Sequence, residues 1–179
     1  MVTKADGTLS RIDALKEGDA IVAASHDGTL TTDTVTLLSI AKPEVEGAAY
    51  VALATAANKT LTLTAGHHVP VGAECCSTLK QAKDVVVGET MWAVKDGAAT
   101  ATTVTAKTSS VKATGLHSPV LVNGGFPVVD GVVTSFDSIE KVTLAKYGLA
   151  PLLQACKATG TCKSLREMFL SADDRRYIA

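Results

Sequence analysis

The stretch Leu15-Lys16-Glu17-Gly18-Asp19-Ala20-Ile21-Val22-Ala23 returns seventy residues later as Val85-Val86-Val87-Gly88-Glu89-Thr90-Met91-Trp92-Ala93. Each copy runs from an apolar residue through a two-residue tip to a Gly–acid pair. Apolar residues then take alternate positions, Ile21 and Ala23 in one copy and Met91 and Ala93 in the other, which is the period of a half-buried strand. The same shift lays Thr8-Leu9 on Thr78-Leu79 and Leu63-Thr64 on Val133-Thr134. A shift of sixty-nine lays Asp27-Gly28 on Asp96-Gly97 and Val35-Thr36 on Val104-Thr105. Two copies are too few for a solenoid, so the pattern predicts one β domain with a pseudo-two-fold axis.

The rest of the first 140 residues supports strands. Thr32 to Ile40, Tyr50 to Ala54, Thr60 to Thr64, Asp84 to Val94, Ala101 to Thr108 and Pro119 to Val122 are rich in Val and Thr, whose branched side chains suit a pleated surface. Asp6-Gly7, Asp27-Gly28, Asp96-Gly97 and Asp130-Gly131 are turn signals, as is Asn123-Gly124-Gly125. After Ser138 the pattern changes. Leu144, Tyr147, Leu149, Leu152 and Leu153 fall near helical spacing, Pro151 suits a helix start, Gly160 a stop, and Ser164-Leu165-Arg166-Glu167 has the form of a capping box. The expected fold is therefore all-β, with a β domain over 1–143 and a short helical C-terminal appendage over 144–179.

Composition bounds the function. A chain of 179 residues buries roughly 70% of the surface its unfolded form exposes, enough to fold without cross-links. With 46% apolar residues it is not a disordered tail, and 4% aromatics leave Val, Leu, Ile and Ala to build the core. Seventeen basic against eighteen acidic residues argue against a general nucleic-acid binder or a polybasic membrane-surface protein. Apolar runs fall well short of the ~20 residues a spanning helix needs. Four cysteines are too few for a disulfide scaffold. They stand as the adjacent pair Cys75-Cys76 and as Cys156 and Cys162, which could bridge if the chain doubles back at Gly160; four allow three connectivities.

The stretch richest in reactive groups is Leu61-Thr62-Leu63-Thr64-Ala65-Gly66-His67-His68-Val69-Pro70-Val71. Two of the four histidines follow a strand ending at Thr64, and Gly66 permits a turn that aims an imidazole back across the sheet. The other copy keeps Thr at that place, in Thr134-Ser135-Phe136-Asp137, and differs where His67 stands. A His pair in a turn is also compatible with a solvated loop. His67, His68, Cys75 and Cys76 have the donor types of a zinc site but lack its usual spacing. Cys75 or Cys76 could pair with a His as a nucleophile. His26 and His117 stand beside turn residues and are expected at the surface. No phosphate-binding glycine loop, dinucleotide fingerprint or nucleophile elbow is present.

Leu15-Lys16-Glu17-Gly18-Asp19 with Ala20-Ile21-Val22, the Leu63-to-His67 block, Val122-Asn123-Gly124 through Ser135-Phe136, and Tyr147-Gly148-Leu149-Ala150-Pro151 together resemble the autoprocessing Hint domain of hedgehog proteins, whose fold is shared with inteins. The resemblance runs along nearly the whole chain, and Hint domains are themselves internally duplicated. It implies autoproteolysis. A Cys at the domain's first position attacks the preceding peptide carbonyl to give a thioester, which a second nucleophile (water, a thiol or side chain, or a sterol) then attacks. It places the first step on Thr64 and His67, with His67 as general acid and His68 as its alternative if the register is one residue off. No cofactor or metal is implied. The implied partners are the upstream segment of the protein's own precursor and a small nucleophile, and the implied setting is the secretory pathway or outside the cell.

The chain departs from the family pattern in three places. Counting back from Gly18-Asp19, the family's Cys would stand about half a dozen residues before Met1, and no Cys precedes Cys75; the chain by itself is expected to be inactive for want of it. The acid that activates the sterol hydroxyl would fall near Ser39, where no carboxylate stands, and Asp33 points elsewhere if the register holds. A late Cys of animal hedgehogs corresponds to Ser135. The alternative to an autoprocessing domain is a non-catalytic Hint-fold module acting in binding or precursor structure.

Overall fold

The computed structural model of the protein describes residues 1–135, 151, 155–156 and 158–161. Among them run β1 (Val2–Thr3), β2 (Leu9–Ser10), β3 (Ala20–Ala24), β4 (Leu30–Thr55), β5 (Thr60–Thr64), β6 (His68–Val71), β7 (Thr78–Gln81), β8 (Thr90–Lys95), β9 (Ala98–Leu121), β10 (Phe126–Val129) and β11 (Val132–Val133), with 3₁₀ turns at Ile12–Ala14 and Ala82–Asp84. The main sheet has the order β3-β10-β11-β8-β9-β4-β5, and β3 also pairs with β4. Hydrogen bonding therefore runs in a circle through β3, β10, β11, β8, β9 and β4, with β5 added to β4 and the ribbons β1-β2 and β6-β7 outside it.

The duplication read from the sequence is present in the backbone. Gly18 N–H donates to the Val35 carbonyl at 2.8 Å and Val35 N–H returns to Asp19; seventy residues on, Gly88 N–H donates to Val104 at 2.9 Å and Val104 N–H returns to Glu89. The acids act alike. Asp19 accepts from Lys16 N–H at 2.9 Å and holds Lys4 at 3.0 Å, while Glu89 accepts from Val86 N–H at 3.0 Å and holds Lys80 at 3.1 Å. The equivalent apolar positions enter two clusters, each drawing on both halves: Leu15, Ile21, Ala23 and Val35 pack with Leu121, and Val85, Met91 and Val104 pack with Val51, Leu53, Leu61 and Leu63.

The expected strands merge and split. Thr32 to Ile40 and Tyr50 to Ala54 belong to one strand of 26 residues, β4, and Ala101 to Thr108 and Pro119 to Val122 to one of 24, β9. Pro43 and Gly47 have the local character of breaks, as do Ser110 and Gly115 at φ 59° and 90°, but β4 and β9 pair across them and absorb them as six register shifts. Asp84 to Val94 divides instead: Asp84 ends a 3₁₀ turn and β8 begins at Thr90.

The helical C-terminal appendage is corrected. No helix of seven or more residues occurs among the described residues. Helical backbone there is confined to Pro151, Ala155, Cys156, Ala158 and Thr159, before Gly160 turns at φ 70°. The spacing behind the expectation spans Gly148, which costs about 1 kcal/mol against Ala inside a helix, and Pro151, which suits the first turn of a helix and not its interior. Residues 136–150, 152–154, 157 and 162–179 lie outside the described residues, and with them Phe136, Asp137, the 147–150 segment and the capping box.

Asp33 does point away from the reactive stretch. It is buried, and its carboxylate accepts from the backbone N–H of Thr34 at 2.7 Å, Asn123 at 3.1 Å and Gly125 at 3.1 Å and from the Asn123 side-chain amide at 3.1 Å. It thereby fixes the turn that carries the chain from β9 to β10. A Cβ on Gly125 would stand 3.0 Å from Asp33 Oδ2 and 3.1 Å from Ala23 Cβ, so this turn needs glycine for close approach.

Candidate functional site

β5 ends at Thr64, and the chain reverses at once: His67 N–H donates to the Thr64 carbonyl at 3.0 Å before β6 begins at His68. Gly66 does not adopt a positive φ, so this turn does not rest on glycine's freedom. The turn is docked onto the end of the second half. Ser135 N–H donates to the His68 carbonyl at 3.2 Å, and His67 Nε2 stands 2.8 Å from the Ser135 carbonyl. A carbonyl only accepts, so Nε2 carries a proton.

Thr64, His67, Thr134 and Ser135 line one cavity of about 450 Å³. Of the four expected site residues, the structure brings Thr64, His67 and Ser135 together there, whereas His68 is not in the wall. Ser135 is buried, and its hydroxyl has no hydrogen-bond partner among the described residues. Met1 lines the same cavity. Its carbonyl accepts from Asp130 N–H at 2.8 Å, and its nitrogen stands 2.6 Å from Asp130 Oδ1.

The same cavity is lined by Arg11, Ile12, Asp13, Tyr50, which pairs with Thr64 in the β4–β5 ladder, and the β9 run from Ala113 to Pro119. Arg11 clasps Asp13 through Nε and Nη2 at 2.9 and 2.5 Å and holds that carboxyl down at about 2. Tyr50 donates to the Gly115 carbonyl at 2.8 Å, and burial raises its phenol above the usual value.

Two histidines expected at the surface lie elsewhere. His117 lines the cavity, because β9 continues through it instead of turning there. His26 packs edge-on against Phe126, ring centroids 5.0 Å apart. Neither position carries a local signal, since both follow from pairings distant in sequence.

The zinc reading and the Cys–His pair fail for one reason. Cys75 and Cys76 are joined to each other and buried in the cluster around Phe126 and Val128, so neither offers a thiolate. Among the described residues no group of three or more His, Cys, Asp or Glu could hold a metal ion. Cys156 is disulfide-bonded.

The sequence profile of the Hint module matches residues 1–171. The chain belongs to the Hint family. No curated protein matches it in sequence. Among solved structures it is similar to a DnaB intein from Synechocystis sp. PCC 6803, at 14% identity and a TM-score of 0.65 over 77% of this chain and 94% of that one. It is similar to the gp41-1 intein at 10% identity and 0.59, covering 75% and 91%. A bacterial intein-like domain from Clostridium thermocellum follows at 17% and 0.56, covering 75% and 93%. At these identities the solved structures establish the fold, and the Hint match establishes the kind of domain, a self-processing one. No helix among the described residues is long and apolar enough to cross a membrane.

Proposed function

We propose that this Hint domain cleaves the peptide bond before a cysteine carried ahead of Met1, by N-to-S acyl shift and thioester formation. One observation carries the reading: Thr64, His67 and Ser135, from the two strand ends, line one cavity with Met1. A segment joined to Met1 therefore starts at the wall that holds His67.

The chemistry follows from the His67 tautomer. With Nε2–H committed to the Ser135 carbonyl, Nδ1 receives the proton of the attacking thiol. Sulfur bonds to the peptide carbonyl carbon, the C–N bond breaks, and the same proton passes from Nδ1 to the leaving nitrogen. Thr64 helps to hold the scissile segment. The partners are the upstream segment of the precursor and a small second nucleophile.

The test places a reporter, a Cys and a short lead before the chain, adds dithiothreitol to capture the thioester, and follows release on a gel. Release from this protein and its loss in His67→Ala would support the reading. A folded protein that releases nothing sinks it. That outcome would favour a non-catalytic Hint module, a reading for which one observation speaks: no cysteine among the described residues lines the cavity.

A further inference from the structure

The cavity that His67 lines is also lined by a second histidine that the thioester step does not use. His117 sits on β9, paired with Ala41 of β4. It lines the same cavity as His67, and its Nδ1 is buried with no hydrogen-bond partner among the described residues. Nδ1 is thus closed to a hydroxyl in the cavity, which leaves Nε2 as the ring nitrogen that can receive its proton. We infer that His117 is the general base of the second step, activating a hydroxyl nucleophile, water or a small alcohol, for attack on the thioester. This rests on the autoprocessing reading and assigns a base of its own to the second half of the reaction.

The step balances. The hydroxyl oxygen bonds to the thioester carbonyl carbon while its proton passes to the His117 imidazole. The C–S bond breaks, the thiolate leaves, and it recovers the proton. The products are a carboxylic acid or ester and the free thiol.

The surroundings keep the ring in its basic, neutral form. Burial lowers the pKa of His117 below 6.5; Asp13 opposes this and Arg11 reinforces it. Arg11 and Asp13 form a close pair whose effects on the ring oppose each other, and burial, the largest cause, decides the direction. The other titratable groups in the wall are Tyr50, tied to Gly115, His67 and Asp130. A neutral imidazole here accepts a proton at pH 7.

The reporter fusion separates the two steps. Release with dithiothreitol measures thioester formation; release without it measures attack by hydroxyl. The ratio of thiol-free to thiol-induced release should fall at least tenfold in His117→Gln, and added imidazole should restore it in His117→Ala. The wild-type ratio should fall as pH drops through a value below 6.5, a dependence absent in His117→Gln. Labelled water appearing in the released reporter's carboxyl identifies water; a reporter ester formed in added glycerol identifies the alcohol. An unchanged ratio in His117→Gln overturns the assignment of His117 and leaves the autoprocessing reading intact. No thiol-induced release from any folded variant overturns both.

Discussion

The two halves of this domain share a frame and differ at the ends of their strands. The loops at Gly18 and Gly88 make the same pair of backbone hydrogen bonds, the same acid-to-backbone contact and the same lysine pair. The Thr64 end then carries His67, while the Thr134 end carries Ser135, and each chain end supplies the backbone group that the other needs. The closed sheet is common to both halves, and the proposed chemistry stands where the copies cease to match. A site between two unlike strand ends requires both halves.

The largest effect should come from removing what the second half does not share. His67→Ala should lower thiol-induced release about 100-fold or more, the scale of a lost general acid–base group. It should leave the urea midpoint nearly unchanged, because the ring is half-buried and outside the main core. A comparable loss from Ser135→Ala would mean that the second half contributes chemistry as well as backbone.

Most of that frame is legible in the residues alone. The seventy-residue shift names the equivalent loops and core positions, because glycine at a required turn and period-two alternation are local signals. Thr64 and His67 are legible through a family block. His117 is not, since only the pairing of β4 with β9 across many register shifts brings it to the cavity. The merged strands escape a local reading because Pro43 and Gly115 have the character of stops, whereas two long bent strands tolerate them as bulges. The tail's apolar spacing continues past Gly148 and Pro151, so it is a weaker local signal than the strand alternation of the first 135 residues.

Asp33 tests the asymmetry in stability. Its counterpart sixty-nine residues on is Thr102, a half-buried hydroxyl that accepts from Ala57 N–H at 3.2 Å, so among the described residues the equivalent place in the second half holds no carboxylate. Asp33→Ala strands the N–H groups of Asn123 and Gly125 and should cost about 3 kcal/mol by urea unfolding. Thr102→Ala should cost about 1 kcal/mol at most. The hairpin glycines give a finer contrast. Gly28 and Gly97 have φ of 83° and 77°, so Ala at either is strained by about 1 kcal/mol. A Cβ at Gly28 would also meet Cys75 Cβ at 2.8 Å, whereas Gly97 faces open space. Gly28→Ala should therefore cost about 2 kcal/mol or more and Gly97→Ala about half as much.

The smallest expected effect probes the matched acids. The Asp19 carboxyl lies below its ordinary 3.8, chiefly because the Lys16 backbone N–H donates to it and then because Lys4 does. A carboxyl whose folded pKa is depressed contributes stability above its unfolded value and loses it as pH falls through the folded one. Asp19 thus adds stability at neutral pH that disappears below about 3.8. Asp19→Asn should destabilise at pH 7 by less than about 1 kcal/mol, since the pair with Lys4 is partly exposed and screened. It should also flatten the stability curve below pH 4. If the halves are equivalent in energy as in geometry, Glu89→Gln should cost the same at pH 7, because it breaks the matching contacts to Val86 and Lys80. A clear excess at either acid would locate the more demanding half of the fold, and the Asp33 anchor argues that it is the first.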